Sequence, residues 1–342
     1  MAKKKKGSGK RTLLIVLCVF FGLVLAVMAA GTIYINVFLN QINRFEDTEE
    51  TLSDHEVEQI LAETDPPEAD YSVEEINPEE ITMPTVPAQK LETEDHIVNI
   101  LLIGQDRRGS VGRSRSDAMI LCTINTEKKT LVMTSFLRDM YVRFPEYNGK
   151  TYYNNRINVP YVIGGMEMLN DTLELNFGVH VDHNIEVDFS GFEKIVDMVG
   201  GVEIELTAAE AAWMDCGLRK GVNLLDGEKA LSYSRIRKLD SDFGRTNRQR
   251  TVLSAILNKV RGMNLSQLTE LTENIMPLVT TDMSNAQIIK YVLEFFPILQ
   301  DLELTTQHIP AEGTYYFARI AEMSVIVPDF DANIEILKDT IG

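Results

Sequence analysis

Three cysteines in 342 residues provide no disulfide framework. Cys18 sits in an apolar N-terminal run, Cys122 lies in the strand-like "DAMILCTIN" and reads as core, and only Cys216 is expected near the surface. Histidine is scarce at five residues. His180 and His183 are spaced HxxH, but no third ligand is evident and that spacing alone is a poor zinc signal. The single tryptophan, Trp213, reads as a core or surface anchor. There is no P-loop, no Rossmann fingerprint, no Ser–His–Asp grouping and no internal repeat. Bases are outnumbered, 33 Lys+Arg against 51 Asp+Glu, for a net charge of −18. That balance excludes a nucleic-acid surface.

Charge is unevenly spread. Residues 1–11, "MAKKKKGSGKR", hold six bases and no acid. An uncharged run of 28 residues follows, 12–39, and a bilayer span needs about 20. The run is about twice the ~7–15-residue apolar region of a cleavable signal peptide. We therefore expect an uncleaved transmembrane anchor with a cytoplasmic basic tail and the remainder outside, although "AVMAAG" offers small residues for cleavage. Residues 40–96 are acidic, with 18 acids against Arg44 and Lys90 and five prolines. This reads as an extracellular stem, extended or partly disordered, with a short helix expected from Thr48 to Ala62. With the +6 tail and the −16 stem set aside, 97–342 is left near −8. That length suits one domain.

The domain opens on "IVNILLIG", continuous and apolar as in a strand covered on both faces. "SDAMILCTIN" and "TLVMTSF" read as further strands joined by a tight turn at "TEKK". Helical patterns are expected near 161–175, over "SGFEKIVDMVG" with Ser190 as cap, and at 244–260, 265–276 and 285–299. "NIEVDF", "GVEIEL" and "LELTTQHIPA" read as strands, and "DFDANIEILKDT" as a closing helix. Strands and helices in this mixture predict an α/β class fold, an α/β/α sandwich around a central mixed sheet.

Two constellations carry chemistry. Asp106 follows the first strand and Asp117 opens the second; antiparallel pairing would bring both carboxylates to one sheet edge. Sparse oxygen ligands suit Mg²⁺, whereas the plain alternative is two turn-capping aspartates. Arg138 and Asp139, after the third strand, signify nothing alone. The second constellation is "YSRIRKLDSDFGRTNRQR", six bases in an acidic chain. If "YSRIRK" is extended, Tyr233, Arg235 and Arg237 share a side. At 100° per residue, Arg245, Gln249, Val252, Leu253, Ile256 and Val260 share one helical face, while Arg250 lies about 140° from Arg245 and turns elsewhere. A guanidinium on the inward stripe needs an anion, and a helix start adds free N–H groups. The stretch reads as a phosphate or pyrophosphate clamp, or as a network with buried carboxylates such as Asp242.

Together "NILLIGQDRR", "RSDAMILCTIN", "KTLVMTSFLRDMYV", "RINVPYVIGG", "VDHNIEVDFSGFEKIVDMVGGVEIEL", "LLDGEKALSYSRIR" and "SDFGRTNRQR" resemble the LytR–CpsA–Psr family of cell-envelope proteins, over about 99–261. The resemblance implies a phosphotransferase that attaches an undecaprenyl-pyrophosphate-linked anionic glycopolymer, such as teichoic acid or capsular polysaccharide, to peptidoglycan at a Gram-positive-type membrane, with a pocket for the prenyl chain. It implies Mg²⁺, or Mn²⁺, at Asp106 and Asp117, and catalysis by these two with Arg115. Pyrophosphate would be held by Arg115, Arg138, Arg235, Arg237, Arg245 and Gln249, with Asp139, Asp242 and Arg248 supporting them. Two departures stand out: Leu137 where the family generally has proline, which would shift the loop carrying Arg138, and Gln105 where a small or apolar residue is common. The alternatives are a polyprenyl pyrophosphatase using the same residues, and a non-catalytic envelope-binding or regulatory protein.

Overall fold

The computed structural model describes residues 39–44, 52–62, 75–84, 87–91, 93–105, 113–215, 217–237 and 239–341. Asp106, Cys216 and nearly all of the expected span 12–39 lie outside them. Among the described residues no helix is long and apolar enough to cross a membrane. From Asn43 onward the chain forms one compact unit.

Its centre is a seven-stranded mixed sheet. Strands β1 (Asn43–Arg44), β2 (Ile97–Gln105), β3 (Ser116–Asn125), β4 (Thr130–Phe136), β7 (His183–Asp188), β10 (Val279–Thr281) and β11 (Glu303–Ile309) lie in the order β1-β10-β7-β2-β3-β4-β11. β2 pairs antiparallel with β3 and parallel with β7, and β4 pairs parallel with β11. Side chains alternate across a strand, and here the two sets enter separate cores. Leu101, Ile103, Met119, Leu121 and Phe136 pack with helices α2 (Pro160–Phe177) and α9 (Phe330–Ile341). Leu102, Ile120, Cys122, Leu131 and Met133 face the other way, toward Leu253 and Leu257 of helix α6 (Asp242–Arg261). Both faces are covered, which is why β2 reads as unbroken apolar sequence. Cys122 lies on the α6 side, where burial pushes its thiol up to about 12.

A second, smaller core lies under α6. Hairpin β8–β9 (Val202–Leu206, Gly221–Leu225) packs with α3 (Phe189–Met198), α4 (Ala208–Met214), α5 (Gly227–Ser234) and α7 (Leu265–Ile275) around Val196, Val202, Ile204, Tyr233 and Val252. Asp188, not Ser190, caps α3: its carboxylate accepts from Gly191 N at 2.7 Å. Thr207 and Glu210 form a capping box on α4. Two short strands, β5 (Tyr141–Val142) and β6 (Asn155–Arg156), pair beside the end of β4. Helix α8 (Asn285–Phe295) precedes β11, and hairpin β12–β13 (Tyr315–Ile320, Met323–Pro328) follows it. That hairpin carries no clean alternation of polar and apolar residues and was not anticipated.

The described parts of 40–96 are more ordered than the extended-spacer expectation. Helix α1 (Asp54–Ala62) lays Val57, Ile60 and Leu61 on the main core. Ile76 N donates to Arg319 O at 2.9 Å, and Ile81 is buried among β12–β13 side chains. The composition statistic averaged over isolated apolar residues that the hairpin covers.

Candidate functional site

The site lies at the sheet end where β3 begins and β4 finishes, against the first turn of α6. Asp117 is the second residue of β3. Its Oδ1 accepts from Arg138 Nη1 at 2.8 Å and Arg237 Nη2 at 3.4 Å, and lies 3.9 Å from Arg245 Nη1. Asp242, the first residue of α6, places Oδ1 2.5 Å from Arg245 Nη2 and 3.9 Å from Arg138 Nε. Asp139 sits 3.5 Å from both Arg138 Nε and Arg156 Nη1. Four guanidiniums thus meet three carboxylates.

Local structure explains how each arrives. Leu137 N donates to Ile309 O at 2.9 Å, a bond proline could not make, and Arg138 still reaches Asp117. The leucine therefore does not displace the loop from the site. Tyr233 and Ser234 complete α5 instead of running extended, so the expected alternation over "YSRIRK" fails; Tyr233 is buried in the second core. Arg237 nonetheless comes to Asp117, while Arg235 lies over the Phe189 ring, 4.6 Å from its centroid. Arg115 Nη2 donates to Ile60 O of α1 at 2.9 Å. Arg115 and Arg235 thus make contacts to α1 and to Phe189 beside the Asp117 group.

Arg245 is 1% exposed. None of its three guanidinium nitrogens has an aligned hydrogen-bond partner, and one turn on, the buried Gln249 Oε1 has none either. Burial is the largest influence on Arg245 and lowers its pKa, opposed by Asp242. Burial likewise raises that of Asp242, against the pull of Arg245. For Arg138 burial opposes the charge, but Asp139, Asp242 and Asp117 together hold its pKa above the ordinary value. The pair Arg245 and Gln249 begins a strip of α6 that continues through Ile256 and Val260. Ile256 and Val260 themselves pack against the second core, while Leu253 and Leu257 meet the sheet.

Arg248 serves elsewhere. Its Nε donates to Glu210 Oε1 at 2.8 Å, and its Nη1 to Ile236 O at 3.0 Å and Asp240 Oδ1 at 3.1 Å. This holds α6, α4, Ile236 and Asp240 together behind the site. Arg250 turns to the sheet side of α6, where it is buried; Asn247 Oδ1 lies 3.4 Å from its Nη2, and burial lowers its pKa to about 10. Arg156 is the member that sequence reasoning missed. It stands alone in its stretch, and only the β5–β6 pairing brings it to Asp139. His180 and His183 do not cooperate: the first contacts Glu174, the second Asp282 and Tyr291. Trp213 is 39% exposed on α4.

A metal would find little protein ligation. Among the described residues no three His, Cys, Asp or Glu side chains gather to hold one. Asp117 does fit a sparse site for a hard cation: its arginine contacts are all to Oδ1, and its side chain is 26% exposed. Mg²⁺ is commonly held by one or two carboxylates with phosphate oxygens and water. Asp106 lies outside the described residues, directly after the strand paired with β3.

The model of the LytR_cpsA_psr family matches residues 59–327. Among similar proteins, the polyisoprenyl-teichoic acid–peptidoglycan teichoic acid transferase TagU of Bacillus licheniformis is 39% identical over 174 residues, 50% of this chain and 54% of that protein. The match thus spans about half of that relative. The corresponding transferase TagT of Bacillus subtilis is 31% identical over 236 residues, 64% of this chain and 71% of that one. Among solved structures, TagT bound to LIIa-WTA superposes with a TM-score of 0.60 at 26% identity, covering 75% of this chain and 94% of that one. The crystal structure of B. subtilis TagT gives 0.58 at 26%, covering 76% and 97%.

Proposed function

The chain belongs to the LytR–CpsA–Psr family, and from that premise we propose that it transfers a polyprenyl-pyrophosphate-linked anionic glycopolymer, of teichoic-acid or capsular type, onto peptidoglycan. The observation that carries this reading is the buried Arg245 with three unaligned donors beside the orphaned Gln249 oxygen. Buried polar groups left without partners are rare in folded proteins, and these sit where guanidiniums outnumber carboxylates. A bound pyrophosphate would supply acceptors for the Arg245 donors, whose fork matches its oxygens, and the Gln249 amide turned to present its NH₂ would add a further donor. The relatives named above are transferases of teichoic acid to peptidoglycan, and one solved relative holds LIIa-WTA.

Arg138, Arg237 and Arg245 would bind and orient the pyrophosphate and stabilise charge developing on the leaving prenyl phosphate. Arg115 and Arg235, whose contacts lie alongside, would close on it from the flanks. Asp242 and Asp139 keep Arg138 and Arg245 in place by ion pairing. Mg²⁺, bound at Asp117 and Asp106, would supply further neutralisation of phosphate charge. Asp106 would take the proton of the acceptor hydroxyl. The part of the α6 strip through Ile256 and Val260 left uncovered by the second core would border the prenyl chain. The basic tail and the apolar run 12–39 would hold the domain at the outer face of the cell membrane, next to lipid-linked donor and wall acceptor.

The test uses the full chain in detergent with a prenyl-pyrophosphate-linked polymer and Mg²⁺. Arg245→Ala and Asp117→Ala should each abolish turnover, and Arg245→Ala should weaken donor binding at least about tenfold, a loss of roughly 1.4 kcal/mol. Donor binding and turnover unchanged in both variants would remove the site assignment.

A further inference from the structure

Gln105, one of the two departures noted in the sequence, is completely buried at the end of β2. Its Oε1 accepts from Ser114 N at 3.1 Å and from Ser114 Oγ at 3.2 Å. Its Nε2 donates to the carboxylate of Glu186 on β7, and the hydroxyl of Tyr161 on α2 donates to the other oxygen of that carboxylate. Glu186 is 3% exposed and Tyr161 is fully buried. The amide orientation is unambiguous, because a backbone N–H can only donate and so must face Oε1. Every bond in the row points its donor toward Glu186 or toward Gln105, and such rows polarise one another.

We infer that Gln105, backed by Glu186 and Tyr161, is a positioning residue that fixes where β3 begins, and with it Arg115 and Asp117, relative to the arginine group. The register between β2 and β3 breaks at Gly104/Gln105, where Gln105 comes to face Ser116. A bulge loosens the ladder just where Asp117 must be held. The Gln105 amide supplies the missing restraint one residue before Arg115. An apolar residue at 105 would leave Ser114 without this anchor and take a donor from buried Glu186. The glutamine and the buried glutamate therefore belong together in this chain. The inference deepens the proposed function, and its role in turnover rests on that reading.

The test compares the full chain with Gln105→Leu/Glu186→Gln, which removes the amide without leaving a charged carboxylate behind. Hydrogen–deuterium exchange is read first and needs no activity. Exchange across 113–117 should rise at least about tenfold, a local opening loss of roughly 1.4 kcal/mol, while 98–102 and 119–123 keep the parent rate. Exchange unchanged at 113–117, or raised evenly along both strands, overturns the inference. Turnover is read second. We expect kcat to fall about tenfold, as for a misplaced catalytic group, with the donor KM within about twofold. A parent-like kcat, or a rise in KM alone, also overturns it. If the double variant does not fold, Ser114→Ala is read in the same two assays against the same outcomes, with smaller changes. A parent chain that neither binds nor turns over the donor defeats the proposed function, while the exchange result still decides the inference.

Discussion

Asp117 has two opposed effects on an anion at this site, and Asp117→Asn separates them. The carboxylate lies 2.8, 3.4 and 3.9 Å from nitrogens of three guanidiniums. Without metal it therefore competes with pyrophosphate for the same donors. A bound phosphoryl charge about 5 Å away would be repelled by about 3 kcal/mol at an effective dielectric of about 20. Asp117 is about one-quarter exposed, and salt screens such charges, so about 1 kcal/mol is a fair residue of that figure. The amide keeps the size and removes the charge. In EDTA, Asp117→Asn should bind geranyl pyrophosphate about fivefold more tightly than the parent by calorimetry. With Mg²⁺ present the order should invert, because the variant would have lost the proposed metal ligand, and turnover should vanish. Metal-free affinity that is unchanged or weaker would refute the claim that these arginines form the anion site.

Arg248→Ala should destabilise the chain by about 3 kcal/mol, since Glu210 is left buried without its cation, while pyrophosphate affinity stays within about twofold; urea melts and calorimetry check both. Glu210 carries a pH prediction. Burial pushes its pKa up, but hydrogen bonds from Thr207 and Arg248 outweigh that and hold it below the ordinary 4.5. A lowered folded value means stability that is present above 4.5 and lost as pH falls through the folded value, so the parent's advantage over Glu210→Gln should shrink below pH 4.5 in urea melts. Gly227→Ala should cost about 1–3 kcal/mol, because a Cβ there would stand 2.2 Å from Glu193 O where α5 crosses α3; a thermal melt measures it.

Much of this architecture was legible in the chain. The continuous apolar run of β2, the tight turn at 126–129 and the helical stripe from Arg245 all follow from period and turn chemistry. The antiparallel pairing of β2 with β3 puts Asp117 at the expected sheet end. Other features needed tertiary contacts. Arg156 reaches Asp139 through a two-residue ladder that no local pattern announces. Asp242, expected as a carboxylate partner of the arginine stretch, does pair with Arg245, but its approach to Arg138 comes only from the fold. The short helix expected up to Ala62 is α1, but its seat on the main core and the β12–β13 hairpin were obscured because the apolar residues involved are buried by distant segments. Gln105 looked like an unexplained departure until Glu186 and Tyr161 stood behind it.

The most direct test of the central claim is acceptor dependence. The full chain, Mg²⁺ and a prenyl-pyrophosphate-linked polymer labelled in its sugar are incubated with and without peptidoglycan. The account predicts label covalently retained on peptidoglycan, released prenyl phosphate in equal amount, and little release without acceptor. Equal release with and without peptidoglycan, with no label on the wall, would contradict it and identify a pyrophosphatase instead.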